Sequence, residues 1–496
     1  MADFGQGLSV TITVRGSDPV DAEFGRTLLV EQVSVGLTAR ADTDLRRAVR
    51  VYGSASEVAA AGESADVQRA AAVYFAAATP PKPLMVGTQL AVTQSTVIYG
   101  AHTTVAAVEA LGDGAAWSLG DAHSGTADFD GLSDLDDMAS ALQTGLNAVA
   151  GITGASVSVV DDGFQVQLPA GLSIGSGFVA SDVTRALGLS GAHIVPGIET
   201  GEDGPDALDR IQGLDESFYF ICLPMGGYGV AGGRETGISR VEEMARWAES
   251  RGKMFSYEEA GPELLIANEE STATGDFYDS KLSRVSAWYG GAERDGKNIA
   301  ACAYQSGIDF EAADANRNVA NTDLPGTSPT VIESLSHLRE LNRKRVNYYR
   351  RIGGLTHTVN GMTQSTWLDV QFFLDHLRNA VGLAVYRLKK SSAFLGHDAE
   401  SYGDVKSAIE DVLASAVRGG FLRPGVVSDA TRRSIIRSTG VADFDGELTK
   451  GYLVYIPSAA TRSESQRASR SMARPQFWAR GADAINDIDI LGTYDE

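Results

Sequence analysis

The sequence predicts a mixed α/β fold of several domains, with an inserted β-rich module and an isolated strand at each end. Three observations predict it. Apolar, β-branched runs alternate with amphipathic helical patterns on both sides of residue 150, which favours an α/β layer. Between about 101 and 197 the composition shifts to Gly, Asp, Ser and Thr. Short alternating segments at the two ends stand apart behind turn-forming residues. The length of 496 residues suits three or four domains of ~150 residues each.

Taken in order, Leu8 to Val14 alternates Leu8, Val10, Ile12 and Val14 with Ser and Thr, a half-buried strand. Gly16-Ser17-Asp18-Pro19 follows as a turn, so the strand hangs on a tether over residues 1–20. The core begins near Phe24, with a strand over Thr27 to Val35. Ser54-x-x-Glu57 reads as a capping box and Ser64 as the cap of a second helix. Pro80-Pro81 stops that helix, and Leu84 to Gly87 is the next strand. The module at 101–197 holds a helix (Leu135 to Val149), a hairpin around Asp161-Asp162-Gly163 and a short helix (Ala180 to Leu187). The α/β pattern resumes over 198–352. Strands are expected at Phe218 to Leu223, Met254 to Tyr257 and Ile299 to Tyr304. Helices are expected at Ser239 to Arg251, Lys281 to Tyr289 and from Ser328-Pro329 to about Arg350. A C-terminal domain at 353–481 opens on a long helix from Trp367 to Leu388 and includes a strand at Gly451 to Pro457. Residues 482–496 end the chain with the apolar positions Ile485, Ile488 and Ile490 of a second tethered strand.

Composition narrows function. The chain carries 64 Asp and Glu against 42 Lys and Arg, a formal charge of −22, which argues against direct nucleic-acid binding. Met1-Ala2-Asp3-Phe4 lacks a basic n-region and an apolar h-region, so no signal peptide is expected, and no apolar run is long enough for membrane insertion. Cys222 and Cys302 sit in apolar stretches and read as buried free thiols.

Two glycine motifs resemble phosphate loops. Gly227-x-Gly229-x-x-Gly232 follows a strand, but Pro224-Met225-Gly226 intervenes and Gly233 to Gly237 delays the helix. A nucleotide-binding oxidoreductase using that loop is the alternative reading. Gly291-x4-Gly296-Lys297 has Asn298 where Ser or Thr would bind magnesium, and a helix before and a strand after it are expected, the inverse of a P-loop. The seven histidines are scattered, Asp443-x-Asp445-Gly446 lacks the rest of a calcium loop, and there is no G-x-S-x-G. No cofactor, metal or catalytic residue is therefore assigned.

The two tethered strands allow two readings: closure of the fold within one subunit, or β-strand addition to neighbouring subunits. A resemblance bears on the choice. Tyr52-Gly53-Ser54-Ala55-Ser56-Glu57-Val58, Ala71-Ala72-Val73-Tyr74-Phe75 and Pro80-Pro81-Lys82-Pro83-Leu84-Met85-Val86-Gly87 together resemble the N-terminal signature of phage tail sheath proteins, particularly the DUF3383-type branch. The module ending at Ala180 to Gly197, Asp206-Ala207-Leu208 before the strand at Phe218, Trp367-Leu368-Asp369-Val370, Gly451-Tyr452-Leu453-Val454-Tyr455 and Arg467-Ala468-Ser469-Arg470 are similar to the later parts of that branch, in the same order.

The resemblance implies a non-catalytic subunit forming hexameric rings that stack helically around a tail tube. The N- and C-terminal strands would be exchanged into a neighbour's small sheet, and contraction would drive the tube through the host envelope for genome ejection. It implies as partners the chain itself, the tail tube protein, and baseplate and tail terminator proteins. The location would be the virion tail, after assembly in the host cytoplasm. Arg462, Arg467, Arg470, Arg474 and Arg480 stand against a single acid, Glu464, between 462 and 480, in a chain of −22. They are expected either to face an acidic tube surface or to form a solvated or intramolecularly paired basic segment.

Overall fold

The structure, a computed structural model, describes residues 24–33, 48–90, 96–120, 123–169, 172, 177–195, 201–225, 234–267, 272–332, 334–392, 394–468, 470 and 472–482. The largest element is an eight-stranded sheet. Its strands are β1 (Arg26–Val33), β2 (Arg50–Tyr52), β3 (Leu84–Leu90), β10 (Phe218–Cys222), β11 (Met254–Ala260), β12 (Val285–Gly291), β13 (Asn347–Ile352) and β14 (Leu355–Val359). Their order is β14-β13-β12-β11-β10-β1-β3-β2. From β3 to β13 every pair is parallel, and only the two edges, β2 and β14, run antiparallel.

Parallel strands need helical crossovers, so helices cover both faces. On one face, helices Ala65–Tyr74 and Lys297–Ser306 join Leu29, Val86, Phe220 and Trp288 in one apolar cluster. On the other, helices Gly204–Leu214, Arg234–Arg251 and Ala273–Ser280 cover Leu28, Val30, Ile221 and Phe255. Burial from both sides explains why β3, β10 and β12 are buried at every position and read as apolar runs without alternation.

Between β3 and β10 the chain builds a separate unit with its own core, including Ile98, Trp117, Phe129, Leu142 and Phe164. It contains β4 (Val97–His102), β5 (Ala115–Leu119), β6 (His123–Ala127), β7 (Ser156–Val160), β8 (Gly163–Gln167) and β9 (His193–Val195). The order β7-β8-β4-β9 forms a four-stranded sheet beside the β5–β6 pair, against helix Leu135–Asn147. Asp161 and Asp162, both with φ above 50°, make the β7–β8 turn. Entry and exit are strapped together. Glu202 N–H donates to Leu90 O at 2.8 Å, and the Glu202 carboxylate accepts from Leu90 N–H at 3.0 Å and from Arg210 Nε at 2.6 Å.

Helix Leu368–Ser391 lays Leu368, Phe372, Phe373, Leu377 and Val381 on the first face of the main sheet, and helix Ala399–Arg418 packs beside it. The seam is aromatic: Phe372 lies 4.9 Å from Phe220, 5.3 Å from Tyr219 and 5.1 Å from Phe310 between ring centroids. It is also polar at one point, where Asp375 accepts from Tyr219 Oη at 2.6 Å and from Arg284 Nη2 at 2.7 Å. Beyond Arg418 follow helix Asp429–Thr439 between β15 (Gly425–Val426) and β16 (Glu447–Leu448), and then the pair β17 (Tyr452–Tyr455) and β18 (Gln476–Ala479).

Three sequence expectations are overturned. Lys281 to Tyr289 is not a helix: Val285–Gly291 is a strand, buried at every residue. Ile299 to Tyr304 is not a strand: it lies in helix Lys297–Ser306, in which all but Tyr304 are buried. Short apolar runs that are buried all round do not reveal their period, which is why the two were exchanged. The helix expected from Ser328 to Arg350 is confined to Leu335–Arg343, and the chain then turns into β13. Thr330 is spent elsewhere, its N–H donating to Tyr349 O at 2.6 Å.

His376 is buried in the seam, stacked on Phe310 at 3.7 Å, and its Nδ1 has no hydrogen-bond partner among the described residues. Burial, with Lys82 nearby, pushes its pKa down to about 3 from 6.5. The unfolded chain therefore takes up a proton between those values that the folded chain refuses. The stability lost on going from pH 6.5 down to about 3 is on the order of 4 kcal/mol for this group. Glu258, pushed up to about 7 by burial, acts in the opposite sense between pH 4.5 and 7. We expect His376→Phe to flatten the acid limb of the pH–stability curve relative to the parent, read by urea melts from pH 3 to 7. An unchanged acid limb would contradict the buried neutral imidazole.

Candidate assembly site

The residues proposed from sequence to add strands to a neighbour, Leu8, Val10, Ile12, Val14, Ile485, Ile488 and Ile490, all lie outside the described residues. The structure does show where the described chain meets each terminal segment. At the N-terminal side, Phe24 stacks on Phe372 at 5.4 Å and approaches Tyr219 at 4.6 Å, while its carbonyl accepts from Lys82 Nζ. Gly25 follows at φ +100°, and a Cβ there would stand 3.3 Å from Phe372 Cζ, so the position favours glycine on two counts.

At the C-terminal side, Ala482 N–H donates to Phe421 O at 2.9 Å and Arg423 N–H to Arg480 O at 3.1 Å. Phe421 stacks on Phe373 at 4.8 Å and lies 5.2 Å from Phe310, which in turn lies 6.4 Å from Phe24. The first and last described residues of the chain thus meet at one aromatic block, where helix Leu368–Ser391 meets the main sheet.

Beside helix Ala399–Arg418 lies the β17–β18 pair, in the register Tyr452↔Ala479, Leu453↔Trp478, Val454↔Phe477 and Tyr455↔Gln476. Among the described residues it has no third strand, so each of its strands has an outer edge without a strand partner. Two strands alone are marginal in water. Here Val454 is buried in the main apolar cluster and Tyr452, Phe477 and Ala479 pack on it, which holds the pair in place. The sequence signalled β17 but not β18, whose four residues Gln476–Ala479 follow Pro475 in an arginine-rich stretch too short to show alternation.

The arginines proposed to contact a tube lie around this pair. Arg470 and Arg474 are exposed, and Arg462 is half-buried. Arg467 falls in the short helix Glu464–Ala468. Arg480 Nη1 donates to Pro424 O at 3.2 Å.

The glycine loop of the nucleotide alternative, Gly227 to Gly232, lies outside the described residues. The second phosphate-loop mimic is described, and its order corrects the expectation. Strand β12 precedes Gly291 and helix Lys297–Ser306 follows Gly296, the direct order of a P-loop. The anion position is nevertheless filled from within. Gly296 N–H donates to Glu258 Oε2 at 2.7 Å, and Lys297 Nζ reaches Glu258 Oε1 at 3.4 Å, Asp295 Oδ1 at 2.6 Å and Gly290 O at 3.1 Å. Lys297 is 1% exposed, so a phosphate would have to displace a buried carboxylate.

Among the described residues no three His, Cys, Asp or Glu side chains stand close enough to hold a metal ion. No described helix is long and apolar enough to cross a membrane. Asp445 serves a local turn, accepting from Glu447 N–H at 2.9 Å. Cys222 and Cys302 are buried free thiols; the Cys222 S–H donates to Cys302 Sγ at 3.6 Å, joining β10 to helix Lys297–Ser306.

A family model described as the C-terminal domain of E217 tail sheath protein gp31-like proteins matches residues 368–494. The match begins at the first residue of helix Leu368–Ser391 and takes in that helix, helix Ala399–Arg418 and the β17–β18 pair. A search of curated proteins found no match.

Proposed function

We propose, on the premise that the C-terminal domain is that of a phage tail sheath protein, that this chain is the structural subunit of a contractile tail sheath. Subunits assemble as hexameric rings stacked helically around a tail tube, and contraction drives the tube through the host envelope for genome ejection. The role is mechanical and non-catalytic. The single observation that carries the reading is the tail sheath match over residues 368–494, the region that holds the two-stranded β17–β18 sheet.

In this reading that sheet is the receptor for terminal strands of neighbouring copies. Residues 1–20 and 482–496 are the arms, and Leu8, Val10, Ile12, Val14, Ile485, Ile488 and Ile490 supply the alternating apolar contacts. Residues 21–100 and 198–352 form the α/β core, 101–197 the inserted module, and 353–481 the C-terminal domain. A neighbour's strand would complete β17–β18 by main-chain hydrogen bonds. Each bond adds only ~1 kcal/mol, and repetition over the lattice makes the polymer strong. The partners are further copies of this chain, the tube protein, and baseplate and terminator proteins. The subunit is assembled in the host cytoplasm and resides in the virion tail.

Arg462, Arg467, Arg470 and Arg474 are the proposed tube contact. Surface ion pairs contribute ~0–1 kcal/mol each, which suits a contact that must be released on contraction. Charge reversal at Arg467 and Arg470 is expected to reduce co-sedimentation with purified tubes at least several-fold at low salt. Undiminished co-sedimentation would contradict the arginine contact, and absence of tube binding by the parent chain would contradict the sheath reading.

A further inference from the structure

The edge hairpin β13–β14 leaves the main sheet before its strands end. β13 pairs with β12 only at Asn347 and Tyr348, opposite Trp288 and Tyr289. Thr330 then enters between the two strands: its N–H donates to Tyr349 O at 2.6 Å and its hydroxyl to Tyr289 O at 3.4 Å. Past that wedge, Arg350, Arg351 and Ile352 pair with His357, Thr356 and Leu355 and, among the described residues, with no other strand. Gly353 and Gly354, at φ +58° and +88°, close the ribbon in the two-residue turn whose twist matches its strands. The projection is therefore a defined ribbon with paired strands.

Its chemistry is unusual for a surface ribbon. Leu355 is 75% exposed and Ile352, directly opposite it, 46%; Val331, one residue past the wedge, is 81% exposed. Edge ribbons of soluble proteins are normally blunted by charge or proline, because an exposed apolar edge invites association. Residues 347–359 also carry Arg350 and Arg351 and no acid, within a chain of net charge −22.

We propose that the β13–β14 hairpin is an assembly knob that seats on an acidic surface of a second copy of this chain, a contact separate from the terminal arms. The occupant follows from charge: two arginines beside an apolar tip complement another copy of a chain whose formal net charge is −22. The apolar tip supplies the buried area, and the arginines supply orientation and salt sensitivity. The proposal rests on the sheath reading in that it needs a polymer of this chain.

The test uses the full chain, assayed by sedimentation and negative-stain microscopy, with circular dichroism to verify folding. Ile352→Thr with Leu355→Thr keeps strand-forming residues while removing the apolar tip, and should lower pelletable polymer at least tenfold. Arg351→Glu should lower it less, with the deficit shrinking as salt is raised. A folded double variant that polymerises like the parent overturns the knob while leaving the sheath reading intact. If the double variant misfolds, Arg351→Glu decides: polymerisation equal to the parent at low salt overturns the proposal. Failure of the parent to polymerise, with or without tubes, overturns the sheath reading and the knob with it.

Discussion

Removing residues 483–496 is expected to abolish polymerisation and leave the monomer folded. The cut preserves the last described tie, Ala482 N–H to Phe421 O, and so spares the aromatic block at which the described chain ends. What is lost is the segment that we propose pairs with a neighbour's β17 or β18. Four or five ladder bonds at ~1 kcal/mol each amount to roughly three orders of magnitude per joint. Loss at every joint leaves no polymer. Deletion of residues 1–16 should act alike, because Phe24, Gly25 and their contacts with Phe372 remain. Sedimentation would read the polymer and thermal melting the fold. A trimmed chain that still forms tubes would show that the arms close the fold within one subunit, the other reading the sequence allows.

Asp375→Ala should lower stability strongly. Asp375 sits on helix Leu368–Ser391 and is the acceptor for Arg284, just before β12, and Tyr219, on β10, so it fastens the C-terminal helices to the main sheet. Both partners of the ion pair are nearly buried, at 14% and 12% side-chain exposure. Burial, the largest single influence, would lower the Arg284 pKa, but the hydrogen bond to Asp375 and the charges of Asp375, Tyr219 and Glu249 together outweigh it and the net direction is upward. Breaking a buried pair from one side leaves an uncompensated charge and costs about 3–5 kcal/mol. The expected loss, measured by urea denaturation, exceeds that of any exposed ion pair in the chain, such as Arg69–Asp66. Asp375→Asn should recover part of it by retaining an acceptor. A change under about 1 kcal/mol in Asp375→Ala would contradict the role of this contact.

These two experiments probe parts of the molecule that differ in how plainly they are written in the sequence. The α/β layer was legible because β1, β3, β10 and β11 are flanked by capped helices: Ser54 and Ser64 accept from Glu57 N–H and Val67 N–H as their spacing implied. The β7–β8 hairpin was legible from its Asp-Asp-Gly turn. Legibility failed where burial is complete. Strand Val285–Gly291 and helix Lys297–Ser306 present apolar residues on all sides, so neither period survives, and that inversion concealed the P-loop-like order around Gly291 and Gly296. It failed again where a tertiary contact overrode a local signal. Ser328-Pro329 looks like a helix start, but Thr330 bonds Tyr349 and Tyr289, and Asn347-Tyr348-Tyr349 enters the sheet instead.

The alternating apolar segments at the two ends and the arginine cluster are local sequence patterns, and the terminal segments themselves lie outside the described residues. The aromatic block at which the described chain begins and ends was not legible. Phe24, Phe310, the adjacent pair Phe372-Phe373 and Phe421 are distant in sequence from one another and converge only in the fold. The β17–β18 pair was half legible: β17 lies within the apolar run Gly451 to Pro457, while β18 follows Pro475 in an arginine-rich stretch with no such run. Glu258 gave no warning that it fills the anion position beneath Gly296, because that carboxylate comes from the neighbouring strand.

Negative-stain electron microscopy of the purified full chain, alone and mixed with tail tubes, decides whether this chain is a sheath subunit. Stacked rings or tubes of this chain are expected, around the tail tubes where these are supplied. Uniform single-subunit particles under both conditions would contradict that role.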